Sequence, residues 1–426
     1  MESLAAVIAL IVAAYALVAG RLNRASIGPG LFFVVVGLAI GALWPGASAA
    51  IDDSTALLLA EATLALVLFV DASTIDLPGL RDEAGLVARL LAIGTLLSIA
   101  IGTLVAAVLF PAEPIGVLLL LGAALAPTDA ALGQPVVTDR RLPVRIRQLI
   151  NAESGLNDGL ATPFVVLAVA LIGSEGVGHI DWLTTAVREA IVGIAAGIVI
   201  GAVGGLLLVA AERSSWTSAT SRQLAVLALA FGAYLGSLAL GGNGFIAAFV
   251  GGLVFGVASR HREEGAELFS EAAGSLLSIV VWVFAGIAFV TFLGATDGPA
   301  PIVYAILSLT AIRMVPVAIA LVRSGLRPQT VVFIGWFGPR GLASIVFAIL
   351  GLQAVHASAL PTAAVEATVA WTILLSVILH GLSAGPLAVR YGRFVATLGP
   401  AAEEVAERPE PAAKARLWWV PRIPDG

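Results

Sequence analysis

The sequence predicts an all-α polytopic membrane protein. It has about thirteen transmembrane helices, arranged as two inverted six-helix repeats, each containing a broken helix. Three observations carry this reading. The 426 residues are 59% hydrophobic and 12% charged, with mean hydropathy +1.01, whereas a soluble domain holds about 25% charged residues. The basic residues fall almost entirely on one side of the predicted membrane. Two apolar spans are interrupted by Pro and Gly at matching positions of the two halves.

A span needs about 20 mostly apolar residues. By that ruler the candidates run roughly 3–20, 27–43, 55–72, 85–110, 114–135, 146–173, 183–210, 223–240, 244–259, 268–293, 300–322, 329–350 and 366–389. The first lacks a basic leader and a cleavage motif, and it reads as a retained span. Gly241-Gly242-Asn243-Gly244 is either a turn between two spans or a kink in one. Residues 401–426 are rich in Pro, Glu, Arg and Ala. They read as a short cytoplasmic, disordered tail, with Leu417-Trp418-Trp419-Val420 touching the interface.

Charge placement tests the count. With the N-terminus outside, the cytoplasmic loops carry Arg21, Arg24, Arg81, Arg89, Arg140, Arg141, Arg145, Arg147, Arg213, Arg222, Arg260, Arg262, Arg323 and Arg327, and the C-terminal end carries the remaining six. Of the 23 basic residues only Arg188, Arg313 and Arg340 fall elsewhere. The external loops hold Asp52, Asp53, Glu113, Glu175, Asp181 and Asp297. The expected orientation is N-terminus out and C-terminus in. The absence of cysteine excludes disulfides, thiolate chemistry and Cys-ligated metals. The four histidines are too scattered for a metal cluster. Neither an enzyme nor a nucleic-acid partner is indicated.

Polar groups inside apolar spans define the candidate site. Span six contains Asn151-Ala152-Glu153-Ser154-Gly155-Leu156-Asn157-Asp158 ahead of an apolar run ending at Gly173. Ionisable groups in lipid are costly and mark ion or proton pathways. Span five breaks at Ala126-Pro127-Thr128-Asp129, because Pro127 removes a donor and disfavours helix at Ala126. Span twelve breaks at Gly338-Pro339-Arg340-Gly341. The two broken spans are seven apart, an odd number, so the halves are inverted. Broken backbone at membrane depth needs protein or water to satisfy it.

Asp129 and Asp158 offer hard oxygen ligands, and Ser154, Asn157 and carbonyls around Ala126 to Thr128 add neutral ones. This set suits a monovalent cation such as Na⁺. Burial disfavours the charged form of a carboxylate, so proton and cation can exclude each other at one site. Glu153 and Asp158 lie about 140° apart around a helix and face different ways. Glu153 is expected to pair with the buried Arg313 of span eleven. Arg340 is expected either to compensate the facing ends of the broken helices or to limit the number of cations drawn in. Asp71, ending span three, lines the cytoplasmic mouth of the cavity or is a solvated helix end. Glu61, about 15 Å from it along the helix, needs a partner. His356 falls in an external loop, and His380 reads as packed or interfacial.

These motifs resemble those of the monovalent cation:proton antiporters, in the NhaP-like electroneutral branch. The resemblance covers roughly residues 5–395. It rests on Pro127-Thr128-Asp129-Ala130, Glu153-Ser154-Gly155-Leu156-Asn157-Asp158 and Gly338-Pro339-Arg340-Gly341 in that order. It implies crossing broken helices within a transmembrane domain over 1–400. A dimerisation part (about 1–72 and 223–293) and a moving core (about 85–173 and 300–392) would form a homodimer in the plasma membrane. Asp158, Asp129, Ser154 and the Thr128 carbonyl would bind the cation. Asn157 in place of an acidic residue would set one proton per cation. The family's Phe-Glu-Gly-Gly stretch at the end of span three stands here as Phe69-Val70-Asp71-Ala72.

The expected function is therefore exchange of Na⁺ or Li⁺ for H⁺ by elevator-type alternating access, without a cofactor, serving pH homeostasis. A K⁺/H⁺ antiporter is the alternative within the class. An organic-solute/cation symporter on a similar inverted repeat is the alternative outside it. A channel or membrane sensor that moves no protons is the remaining one.

Overall fold

The computed structural model describes residues 2–24, 27–44, 46–75, 83–129, 132–173, 181–259, 268–295, 298–399 and 402–405. Expectations resting on Asp76, Arg81, Asp82, Ala130, Glu175, Arg260, Arg262, Asp297 and 406–426 lie outside the described residues, as do the side chains of Arg24, Asp53 and Asp181.

Helix is the only regular secondary structure among the described residues. The chain runs α1 (Glu2–Arg24), α2 (Pro29–Leu43), α3 (Asp53–Ser73), α4 (Ala84–Arg89), a π-helical segment (Leu90–Thr95) and α5 (Leu96–Leu109). It continues through α6 (Ile115–Ala124), α7 (Gln134–Val137), α8 (Val144–Gly173), α9 (Asp181–Arg213), α10 (Ala219–Ala239), α11 (Gly244–Ala258) and α12 (Leu268–Phe292). The last elements are α13 (Ala300–Leu309), α14 (Ala311–Ala320), α15 (Pro328–Trp336), α16 (Leu342–Ala357), α17 (Ala363–Val395) and a 3₁₀ turn, Glu403–Val405.

Local chemistry sets several helix starts. Asp52 accepts from Thr55 N at 3.1 Å, Ser218 from Ser221 N at 3.2 Å and Asn243 from Ile246 N at 3.0 Å, each removing an orphan N–H of the first turn. Pro328 opens α15 where its missing donor costs nothing. The Gly241–Asn243 stretch is a turn between two helices, with Gly241 at φ +72°.

Nine helical stretches among the described residues are long and apolar enough to cross a membrane, and four more apolar helices are shorter: Pro29–Leu43, Ile115–Ala124, Gly244–Ala258 and Leu342–Ala357. Large apolar side chains such as Leu17, Ile191, Leu206 and Leu207 point outward, as lipid-facing residues do. The chain is a multi-pass membrane protein.

The helices pack in two sets. In one, α9 lies along α11, α11 along α3, and α12 along α2 and α3. Gly37 of α2 and Gly286 of α12 meet backbone to backbone, with no room for a Cβ on either. Small residues permit such close packing where water exerts no drive. In the other set, α6 lies along α5 and α8, α13 along α17, α14 along α15 and the π segment, and α16 along α6 and α8. The sets meet mainly where α8 and α16 reach α3 and α8 reaches α9.

The span over 114–135 breaks as expected near Pro127: α6 stops at Ala124, and the next described helix is α7. Three details differ from the expected spans. The span over 85–110 carries a π segment. The span over 300–322 is interrupted at Thr310, at φ −116° and ψ −95°. The disordered tail expected from 401 instead begins with a seated turn. Glu404 is buried and accepts from Arg327 N (2.7 Å) and Thr330 Oγ1 (3.0 Å), while Glu403 pairs with Arg145 at 2.5 Å. The physical reason is the open N-terminus of α15, which a carboxylate satisfies.

Candidate ion-binding site at two helix breaks

The break after α6 leaves Leu125 to Asp129 non-helical and buries Thr128 against α8. Thr128 Oγ1 lies 3.0 Å from Ser154 Oγ. Asn157 holds Thr128 from both sides: its Nδ2 donates to Thr128 Oγ1 at 2.6 Å and its Oδ1 accepts from Thr128 N at 3.3 Å. The sequence reading placed Asn157 among the ion ligands. In the structure its amide is occupied with the broken backbone.

Asp129 is fixed by the other break. Its N–H donates to Pro339 O at 2.8 Å, and its Oδ2 accepts from Leu342 N, the first residue of α16, at 3.0 Å. A carboxylate at a helix N-terminus satisfies both a free donor and the helix dipole. Position 341 must be glycine, because a Cβ there would coincide with the Asp129 carboxylate. Position 338 is crowded likewise, by the Arg313 guanidinium and by Thr128 Cγ2 at 3.0 Å.

Arg313 and Arg340, both buried, have separate tasks. Arg313 of α14 grips Glu153 of α8 through both oxygens, at 2.5 and 2.7 Å, with both side chains buried. Arg340 Nη1 donates to Ala126 O at 2.8 Å and lies 3.4 Å from Pro127 O and Gly338 O. Its Nη2 donates to Ser308 O, just ahead of the Thr310 interruption, at 3.1 Å. Arg340 thus neutralises carbonyl ends of broken helices.

Asp158 lies on the other side of α8 from Glu153. Its Oδ1 is buried and has no hydrogen-bond partner among the described residues. Asp129 and Asp71 are the carboxylates within electrostatic reach of it. The structure therefore brings together Asp71, Asp129 and Asp158 beside the Thr128–Ser154–Asn157 cluster. An unpartnered buried carboxylate oxygen among hard oxygen donors suits a small cation or a proton.

Several polar partners were not legible in sequence. Glu61 finds the Tyr234 hydroxyl on α10. Arg145, at the start of α8, meets Glu83 at 2.8 Å as well as Glu403. His380 is fully buried, between Ser376 O (2.9 Å) and Trp336 O (2.8 Å). Only the i, i+4 spacing of Ser376 and His380 on α17 hinted that they share a face. His356 ends α16 and is exposed, 4.0 Å from Glu366.

Comparison with known proteins bears on the family and the fold. The family described as sodium/hydrogen exchanger, transmembrane, matches residues 6–390. A Na(+)/H(+) antiporter of Schizosaccharomyces pombe is 28% identical over 74% of this chain and 74% of its own length. One of Saccharomyces cerevisiae is 30% identical over 57% of this chain, which spans only 26% of that relative. The K(+)/H(+) antiporter NhaP2 of Shewanella oneidensis is 27% identical over 58% of this chain and 43% of its own length. The solved structure of the sodium proton antiporter MjNhaP1 from Methanocaldococcus jannaschii superposes with TM-score 0.74 and 22% identity, covering 92% of this chain and 99% of that one; this likeness concerns the fold. With the family match spanning nearly all the described helices, the chain belongs to the sodium/hydrogen exchanger family of transporters and is not an enzyme.

Proposed function

We propose that the protein exchanges Na⁺ or Li⁺ for H⁺, with cation and proton competing for Asp158 and Asp129. The observation that carries this reading is the buried Oδ1 of Asp158, without a hydrogen-bond partner among the described residues and within electrostatic reach of Asp129 and Asp71. A cation screens the mutual repulsion of these groups, and a proton removes it. Either occupant suffices, and both together are excluded, which couples the two fluxes once the site alternates between sides. Ser154 and the Thr128 carbonyl complete the cation's oxygen shell. Asn157, an amide where a third central acid could stand, keeps the exchange electroneutral.

The nine long spans and four shorter apolar helices form thirteen spans in this proposal, two inverted six-helix repeats with crossing breaks, with the N-terminus outside and the C-terminus cytoplasmic. The part over about 85–173 and 300–392 moves as an elevator against the part over about 1–72 and 223–293, which pairs in a homodimer in the plasma membrane. The satisfied backbone at both breaks supports this, because a rigid body can carry a broken helix only if its own side chains close the ends.

The test is purified protein in liposomes with a trapped pH dye and an imposed proton gradient. Na⁺ or Li⁺ is expected to dissipate the gradient. Failure of every monovalent cation ends the antiporter reading. The K⁺-exchanging relative favours one second reading, K⁺/H⁺ exchange, which the same assay decides if K⁺ alone collapses the gradient.

A further inference from the structure

The peptide group between Pro339 and Arg340 is held from both sides. Its carbonyl accepts from Asp129 N at 2.8 Å, and its N–H donates to Ser376 Oγ at 2.6 Å. In a trans peptide these two groups point in opposite directions. Asp129 therefore hangs on one side of a rigid plate whose other side is fixed to α17.

Ser376 is in turn placed by His380. The imidazole is buried one turn further along α17, stacked on the Trp336 ring with centroids 5.0 Å apart. His380 Nε2 lies 2.8 Å from Trp336 O, and Nδ1 lies 2.9 Å from Ser376 O and 3.4 Å from Ser376 Oγ, so the ring is seated against both polar atoms of Ser376 while that Oγ accepts from Arg340 N. Trp336 is the last residue of α15, and its indole N–H donates to Ser383 Oγ at 2.9 Å. One face of α17 thus grips the last turn of α15 and the non-helical stretch after it.

We propose that Ser376 and His380 are positioning residues for the ion site, acting on Asp129 through the Pro339–Arg340 peptide. They fix the depth of Asp129 relative to Asp158 and so tune how tightly the cation is bound. Neither touches the ion. The inference rests on the reading of Asp129 as a cation ligand. The Arg340 and Arg313 guanidiniums lie within electrostatic reach of the imidazole, and with its two nitrogens against Ser376 O and Trp336 O the ring serves as a hydrogen-bond splint.

The test measures Na⁺-dependent proton flux in liposomes against Na⁺ concentration and pH. Ser376→Ala is expected to raise the apparent KM for Na⁺ by about fivefold, the worth of one neutral hydrogen bond, with a smaller effect on maximal rate. Ser376→Thr, which keeps the hydroxyl, is expected to restore the wild-type KM. His380→Gln keeps a donor for Trp336 O and is expected to hold the wild-type pH profile, whereas His380→Leu raises KM as Ser376→Ala does. An unchanged KM in both Ser376→Ala and His380→Leu overturns the proposal, as does a pH profile displaced in His380→Gln. If Ser376→Ala does not fold, a raised KM in Ser376→Thr counts against the proposal and a wild-type KM in it supports the hydroxyl's role. A wild-type protein that moves no cation fails the functional reading itself, whereas a transporting wild type with indifferent variants fails this inference alone.

Discussion

Arg340 Nη1 donates to the carbonyl of Ala126 at 2.8 Å, so a side chain from the second helix break closes the open end of the first. The guanidinium supplies the donors that a helical backbone there would have supplied. The negative groups of the site are then left to Asp71, Asp129 and Asp158, with Arg340 directed at carbonyls. Asp158→Asn is expected to reduce cation-driven proton flux to the level of protein-free liposomes, with yield and melting temperature retained. Wild-type flux in this variant would remove Asp158 from the ion site.

The Glu153–Arg313 pair makes a stability prediction. Removing one member of a buried pair strands the other charge, at a cost of about 3–5 kcal/mol. Glu153→Gln and Arg313→Gln are each expected to destabilise strongly, and the double change to cost less than their sum. Thermal unfolding of the four proteins in detergent closes the cycle. Strict additivity would mean that the 2.5 and 2.7 Å contacts carry no coupling.

Asn157→Asp keeps an acceptor for Thr128 N but loses the donor to Thr128 Oγ1 and adds a charge next to Asp158. The expected outcome is exchange that depends on membrane potential. Flux measured with potential clamped by a K⁺ ionophore checks this. Full activity with no potential dependence would sink the charge-based account of electroneutrality.

Gly341→Ala places a methyl on the Asp129 carboxylate. Overpacking of this kind costs about 1–3 kcal/mol, and displacement of Asp129 is expected to raise the apparent KM for the cation. Gly399→Ala, where nothing lies within 4 Å, is the control. Equal melting temperature and KM in the two variants would contradict the close approach.

Glu404→Ala leaves Arg327 N and Thr330 Oγ1 without their acceptor. Loss of stability by about 1–3 kcal/mol is expected, with Glu404→Gln milder because the amide oxygen still accepts. A melting temperature unchanged in the alanine variant would show that the turn is not seated in the membrane-embedded protein.

Much of the architecture was legible because lipid leaves few alternatives. Pro127 and the Gly338–Gly341 stretch marked the breaks, since Pro and Gly disrupt helix locally whatever surrounds them. Glu153 and Asp158 could be assigned to different faces by helical period alone. The pairing of Glu153 with Arg313 was expected because it accounts for two groups that are each costly in lipid, and the two side chains do meet. The bonds of Asn157 to Thr128 were not legible, because an amide's partner depends on where a non-helical segment passes, and no local signal tells that. The Thr310 interruption was invisible for the same reason: its carbonyl-side partner, Arg340, comes from 32 residues beyond Ser308. Composition spoke for disorder beyond residue 400 and could not register one glutamate seated at a helix start and its neighbour paired with Arg145.

That seated turn has a practical consequence. Val405 stands directly after carboxylates bonded to Arg145 of α8 and to the start of α15, the helices that carry Asp158 and lead into the second break. A reporter or binding module joined at this point is coupled to the helices bearing the ion site by one short turn. On the elevator reading proposed above, distance measurements from such a reporter to α2 or α12 would follow the displacement of the transported ion's own carrier, and a bulky fusion there would act as a brake on it.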